Sequence, residues 1–235
     1  MNDHTVKAFD EDLNGLRALI AEMGGLTEAA IDDAMKALQQ RDTVLAARVV
    51  EGDKRIDELE ARIDRLVVQV IALRAPMADD LREIVAAMKI AGVVERMGDY
   101  AKNIAKRVPV IMTDARIEPL SLLPSMARLA RDMVTDALDA FAARDPERAL
   151  EVIERDRAVD DFYNSIFRTM VTFMMENPKT ITESAHILFV AKHLERIGDH
   201  ATNVAEMVHY AATGNMPPER ERETSIEGAN APTGD

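Results

Sequence analysis

The chain has 235 residues, 47% of them apolar and 30% charged, enough for one large or two medium globular domains. Its formal net charge of −13 argues against nucleic acid or anionic lipid as the main partner, and suits divalent cations or basic protein surfaces. With no Cys, disulfides, thiolate metal sites and Cys nucleophiles are excluded; with 4% aromatics, no Trp and abundant Ala, Leu, Met, Glu and Arg, helix is favoured over sheet.

Met1 to Thr5 carries neither a basic n-region nor an apolar h-region, and apolar runs such as Val70 to Leu73 are too short to span a bilayer, so a cytoplasmic protein is expected. From Thr5 to Gln39, Leu13, Leu16, Ile20, Met23, Ala30, Ala34 and Leu38 fall near heptad spacing, with Gly24-Gly25 as an expected bend. Arg41-Asp42-Thr43 supplies a turn and an N-cap. Val49, Ile56, Leu59, Ile63, Leu66, Val70 and Leu73 then hold a 3-4 repeat, the clearest bundle helix in the sequence. Ala75-Pro76 ends that helix and opens another, because proline is tolerated in a first turn. Leu81, Ile84, Met88 and Ala91 begin its apolar face, which Val94, Met97, Ala101, Ile104 and Val108 continue. Thr113 to Pro124, with two prolines, reads as a linker.

The plan then repeats. Residues 33–42 align with 136–145 at an offset of 103 and match at five of ten positions; Asp53 and Asp57 map onto Asp156 and Asp160 at the same offset. Glu95-Arg-Met-Gly-Asp99-Tyr-Ala-Lys-Asn103-Ile-Ala105 and Glu195-Arg-Ile-Gly-Asp199-His-Ala-Thr-Asn203-Val-Ala205 lie 100 residues apart and share seven identical positions. The expected fold is all-α, two tandem, repeat-related three-helix bundles over 1–112 and 119–213, joined by a linker at 113–118 and followed by a disordered acidic tail at 214–235. One continuous six-helix array fits the same periodicity.

Residues 95, 99 and 103 stack along one helix face, as do 195, 199 and 203. If Val49, Ile56, Ile63 and Val70 occupy position a, Asp53 and Asp57 lie on one flank of the preceding helix, and Asp156 and Asp160 repeat them. Helices joined by short turns would then gather four carboxylates per repeat: Asp53, Asp57, Glu95 and Asp99, then Asp156, Asp160, Glu195 and Asp199. Four neighbouring anions repel by several kcal/mol even at an effective dielectric of about 20, and protonation, basic neighbours or cations must relieve this. Arg96 and Arg196 point about 100° from the acidic row and neutralise it poorly. An all-oxygen donor set selects hard cations such as Mg²⁺, Mn²⁺, Ca²⁺ or iron, singly or shared. Gly98 and Gly198, inside these motifs, would let a neighbouring helix or bridging ligand come close. Asn103 and Asn203 read as orienting groups rather than ligands, and the 14 Met residues as core filler.

Two rival chemistries have weaker patterns. Glu183-x-x-His186 has di-iron carboxylate spacing, but its counterpart keeps Glu83 and has Ala86 where a second His is needed. His193 is a phosphorelay candidate whose counterpart is Val93. No Gly-rich phosphate loop, Ser/His/Asp set or His-Glu-x-x-His is present.

These paired motifs, with Leu73-Arg-Ala-Pro-Met-Ala-Asp-Asp-Leu-Arg82 and Leu194-Glu-Arg-Ile-Gly-Asp-His-Ala-Thr-Asn203, resemble the PhoU family of phosphate-uptake regulators from about residue 5 to 213. The resemblance implies two tandem three-helix bundles and multinuclear metal clusters (Mg, Mn, Fe or Zn) on the eight carboxylates named above. It also implies a non-enzymatic, cytoplasmic negative regulator of phosphate-starvation signalling. Its implied partners are the ATPase subunit of the phosphate ABC transporter and a sensor histidine kinase, with homodimerisation, no nucleic acid, and membrane contact through partners only. Arg74, Asp80 and Arg82 are weak candidates for partner contact beside a reading as helix-start ion pairs.

Overall fold

The computed structural model describes residues 2–111 and 118–217, which form six α-helices: α1 (Asn2–Gln40), α2 (Thr43–Arg74), α3 (Asp79–Ala105), α4 (Leu123–Ala143), α5 (Pro146–Glu176) and α6 (Ile181–Thr213). No strand occurs among the described residues. Helices α1, α2 and α3 pack on one another as one bundle and α4, α5 and α6 as a second; α3 meets α6 and α1 meets α4 between them. The expected all-α pair of repeat-related bundles is the observed fold.

Each bundle opens with the same hairpin. Arg41 takes φ 56° and Asp42 caps α2, accepting from the amides of Val44 and Leu45 at 2.9 Å; Arg144 takes φ 53° and Asp145 caps α5, accepting from Glu147 and Arg148 at 3.0 Å. An N-cap carboxylate satisfies amides that have no intrahelical acceptor and favours the positive end of the helix dipole.

Several local expectations shift. α1 runs unbroken through Gly24-Gly25: a Cβ at Gly24 would lie 2.3 Å from Leu138 Cδ1, so this glycine serves a close crossing of α4. Pro76 lies in the turn between α2 and α3, with Ala75 and Ala78 both at positive φ, and α3 starts only at Asp79. On α2 the buried stripe is Ala46, Val49, Asp53, Ile56, Leu59, Ile63, Val67 and Val70; Val67 takes the place expected for Leu66, and Leu73 is exposed. Of the expected linker, residues 113–117 lie outside the described residues; Glu118–Leu122 forms a 3-10 turn, and Pro124 sits in the first turn of α4. The expected tail lies outside the described residues from 218 onward. No helix among the described residues is long and apolar enough to cross a membrane.

Candidate metal centres

Asp53 projects from the core-facing stripe of α2 and is 6% exposed; Asp156 occupies the same position on α5 at 8%. Asp57 is exposed and Asp160 half-buried, one turn further along. Glu95 and Asp99 are half-buried on α3; on α6 Glu195 is half-buried and Asp199 exposed. Between the paired helices sit the two motif glycines. A Cβ at Gly98 would lie 2.9 Å from Ile56 Cδ1 and 3.7 Å from Asp53 Oδ1, and one at Gly198 would lie 3.2 Å from Val159 Cγ1. The missing side chains therefore admit the neighbouring helix, as the sequence indicated.

The carboxylates act on one another electrostatically. Burial raises the Glu95 carboxyl above its ordinary value, and Asp99, Glu60, Asp57 and Asp53 raise it further. Burial and Asp53 raise Asp57 likewise, with Asp99 adding and Lys102 opposing. In the second repeat Asp199 is pushed up to about 6, by desolvation first and then by Asp156, Glu195 and Asp160. Solvent reaches part of its side chain, yet three acids act on it. Each expected set of four thus shares one electrostatic neighbourhood on adjacent helices.

Two lysines enter these sets in different ways. Lys102, on α3, donates to Asp53 across the helix interface and to Asp99 Oδ1 on its own helix at 2.6 Å. Burial alone would lower its ammonium, but the bonds to Asp53 and Asp99 hold it above the ordinary lysine range. The aligned residue in the second repeat is Thr202, buried and without an ammonium. There Lys192 pairs with Glu195 on α6 and lies 5.0 Å above the Tyr163 ring. Sequence reasoning missed both lysines, though Lys102 follows Asp99 by three residues and Lys192 precedes Glu195 by three, spacings that put each on its acid's helix face.

The donor chemistry, oxygen only and strongly anionic, fits a hard cation. The arrangement as it stands does not close on one: among the described residues no three His, Asp or Glu side chains are gathered to hold a metal ion, and Lys102 lies between Asp53 and Asp99.

The rival chemistries are not assembled. Glu83, 8% exposed, is held by Arg17 from α1 and by Arg144, while Ala86 is buried core. His186 Nδ1 accepts from Arg107 at 2.9 Å, so this imidazole is turned to a guanidinium. Both ring nitrogens of His193 are out of solvent's reach; the ring stacks on Tyr100, and burial with Arg107 and Arg196 nearby lowers it to about 4. A neutral buried imidazole offers no nitrogen to a phosphoryl donor. Arg74 bonds Asp12 on α1 at 3.0 Å and Arg82 bonds Asp79 at 2.6 Å, as helix-end ion pairs.

A sequence profile of the PhoU domain matches residues 20–108 and again 123–208, one match for each bundle. The chain belongs to the PhoU family. A Zymomonas mobilis relative, a phosphate-specific transport system accessory protein PhoU homolog, is 57% identical over 93% of this chain and 92% of its own length. A relative of the same description from Caulobacter vibrioides is 48% identical over 91% of this chain and 94% of its own. The crystal structure of PhoU from Pseudomonas aeruginosa superposes with a TM-score of 0.85 at 38% identity, covering 88% of this chain and all of that one. PhoU proteins are non-enzymatic regulators.

Proposed function

We propose that this PhoU protein is a metal-binding accessory regulator of phosphate uptake that couples the ATPase subunit of a phosphate ABC transporter to a sensor histidine kinase. It represses phosphate-starvation signalling when phosphate is sufficient, and acts in the cytoplasm as a homodimer reaching the membrane through its partners. The relatives' description as accessory proteins of a phosphate transport system supports the transport role. The observation that carries the metal part is the crowding of acids between α5 and α6, which drives the Asp199 carboxyl up to about 6. Such a set is relieved by bound cations.

In this reading Asp53, Asp57, Glu95 and Asp99 hold cations in the first repeat, and Asp156, Asp160, Glu195 and Asp199 in the second. A bound divalent ion would supply positive charge joining neighbouring helices; the carboxylates orient it, and Gly98 and Gly198 keep the helices near enough to share it. Glu95→Ala with Asp99→Ala is expected to lower bound divalent metal by about half, leaving the second repeat occupied; unchanged metal content by elemental analysis would count against the assignment. Pull-down from solubilised membranes is expected to retrieve a transporter ATPase, and recovery of nucleic acid alone would remove the adaptor reading.

A further inference from the structure

The arginines turned away from the acidic rows meet at the seam where α3 packs against α6. Arg196 of α6 lies 5.8 Å above the Tyr100 ring of α3. Arg107, just past the end of α3, reaches across: it donates to His186 Nδ1 at 2.9 Å and lies 4.4 Å above the Phe189 ring. Arg107 and Arg196 both act on His193, and Arg96 and Arg196 both act on His200, so all three guanidinium groups share this seam. Arg96 also acts on Glu60 of α2 without an ion pair between them. Among the described residues none of these three arginines is ion-paired, in a chain with 42 acids against 29 basic residues. Elsewhere carboxylates take the arginines up, as they do Arg17, Arg55, Arg74 and Arg148. Arg107 Nε is moreover buried with no hydrogen-bond partner, a costly state for a charged donor. Arg96 and Arg196 are exposed, and Phe189 is 52% exposed, so the seam presents both charge and an apolar ring to solvent.

We infer that the α3–α6 seam is a docking face for an acidic segment of a partner protein, whose carboxylates pair with Arg96, Arg107 and Arg196 and whose apolar side chains rest on Phe189. The inference takes a protein partner from the adaptor reading above and needs no bound metal. A guanidinium held over a ring keeps its N–H edge free, and its planar fork is already oriented for a carboxylate. Spacing selects the occupant. Arg96 and Arg107 stand eleven residues apart, about 16 Å along a helix. A single oxyanion cannot span that, whereas about five extended residues can. At physiological ionic strength charges are screened beyond about 8 Å, so a short docked segment feels the three arginines rather than the net charge of −13. A long nucleic acid would run off the seam onto the acidic faces and be repelled there.

The test uses the full-length, chelator-treated protein and fluorescence anisotropy of a labelled peptide of about ten residues, built from Glu, Leu and Ser. The peptide is expected to bind, more weakly as salt rises, and its counterpart with Gln in place of Glu is expected not to. Arg96→Gln with Arg196→Gln, both at exposed positions, weakens binding about tenfold. Arg55→Gln, away from the seam on α2, leaves it unchanged. Arg96→Glu with Arg196→Glu reverses the preference and takes up the peptide with Lys in place of Glu. Equal binding of the Glu and Gln peptides, or an unaltered affinity in the double Gln variant, overturns the inference. So does complete displacement of the peptide by millimolar inorganic phosphate, which would make the seam a single-oxyanion site. Tighter binding of a single-stranded DNA oligonucleotide than of the peptide overturns it in favour of nucleic acid. If the peptide fails while Arg96→Gln with Arg196→Gln still retrieves a transporter ATPase from solubilised membranes, this inference falls and the adaptor reading stands.

Discussion

Gly24 and Gly25 are adjacent on α1, and their surroundings give them opposite reasons to be glycine. A Cβ at Gly24 would meet Leu138 of α4 at 2.3 Å, while one at Gly25 would meet nothing within 4 Å. Gly25→Ala is therefore expected to stabilise the protein by about 0.5–1 kcal/mol through helix propensity alone. Gly24→Val drives a branched side chain into the α1–α4 crossing and costs about 1–3 kcal/mol; urea unfolding of both variants checks the pair, and equal effects would remove the crossing as the reason for Gly24. The sequence showed a Gly-Gly pair in a helical pattern but not which partner approached it, because that depends on how the two bundles meet. The acidic row was legible for a different reason: its i,i+4 spacing is a property of one helix. So was the poor reach of Arg96 and Arg196. The cation that does reach the row, Lys102, depends on Asp53 facing inward from α2, a matter of α2–α3 packing.

Helix boundaries followed from short-range chemistry where a side chain closes the turn. Asp42 was readable as a cap because an Arg-Asp pair ends one apolar pattern and begins another there, and Asp145, the residue aligned with it, caps α5 in the same way. The turn between α2 and α3 was less readable, since its positive φ falls at Ala75 and Ala78, exposed residues that carry no glycine signal for the left-handed region. On α2, Val67 displaces Leu66 from the buried stripe and Asp53 occupies a core-facing place; a count of apolar residues passes over a carboxylate there. One element-level link has a clear pH signature. Asp136 on α4 accepts from Arg148 at 2.7 Å and also from Arg155, both on α5. Burial works to raise this carboxyl, but the two arginines outweigh it and leave it below its ordinary 3.8. A carboxyl lowered by folding contributes stability above its unfolded value and loses it as pH falls through the folded one. Asp136→Asn is thus expected to cost about 1 kcal/mol near neutral pH, the pairs being partly exposed, and the cost should vanish as pH drops below about 3.8. Thermal unfolding of both proteins between pH 7 and pH 3 follows the difference; a gap that persists undiminished at the acid end would mean the clamp acts by packing rather than charge.

At the scale of the whole molecule, the 100-residue repeat becomes a contact: α3 and α6 meet, and Tyr100 lies against His200, the residue aligned with it, with 3.4 Å from its hydroxyl to Nε2. The same motifs thus serve two faces, acids toward the second helix of their own bundle and residue 100 or 200 toward the other bundle. Duplication was visible in the sequence, but the mating faces were not, since no residue alone encodes which repeat surface meets which. A second link between the bundles breaks the symmetry. Glu83, in the first turns of α3, takes Arg17 from α1 and Arg144 from the turn between α4 and α5, so one carboxylate ties three elements across both bundles. The aligned Glu183 has no such pair of arginines: Leu120 stands where Arg17 has its counterpart at offset 103. A cavity of about 180 Å³ lined by Asp79, Asp80, Phe141 and Arg144 adjoins the clamp, so water screens Arg144 more than Arg17. Breaking a buried pair leaves a charge without compensation and costs about 3–5 kcal/mol, and the screening here reduces that to about 2–3. Glu83→Gln should therefore lower stability by that amount in urea, and hydrogen exchange should rise along α1 and α4 on both sides of the interface. Arg144→Ala alone should cost less than Arg17→Ala, and the double mutant with Glu83→Gln should show coupling above about 0.5 kcal/mol for each arginine. Additive effects, or faster exchange confined to the first bundle, would make Glu83 a local support of α3 and leave the α3–α6 and α1–α4 packing as the tie between repeats.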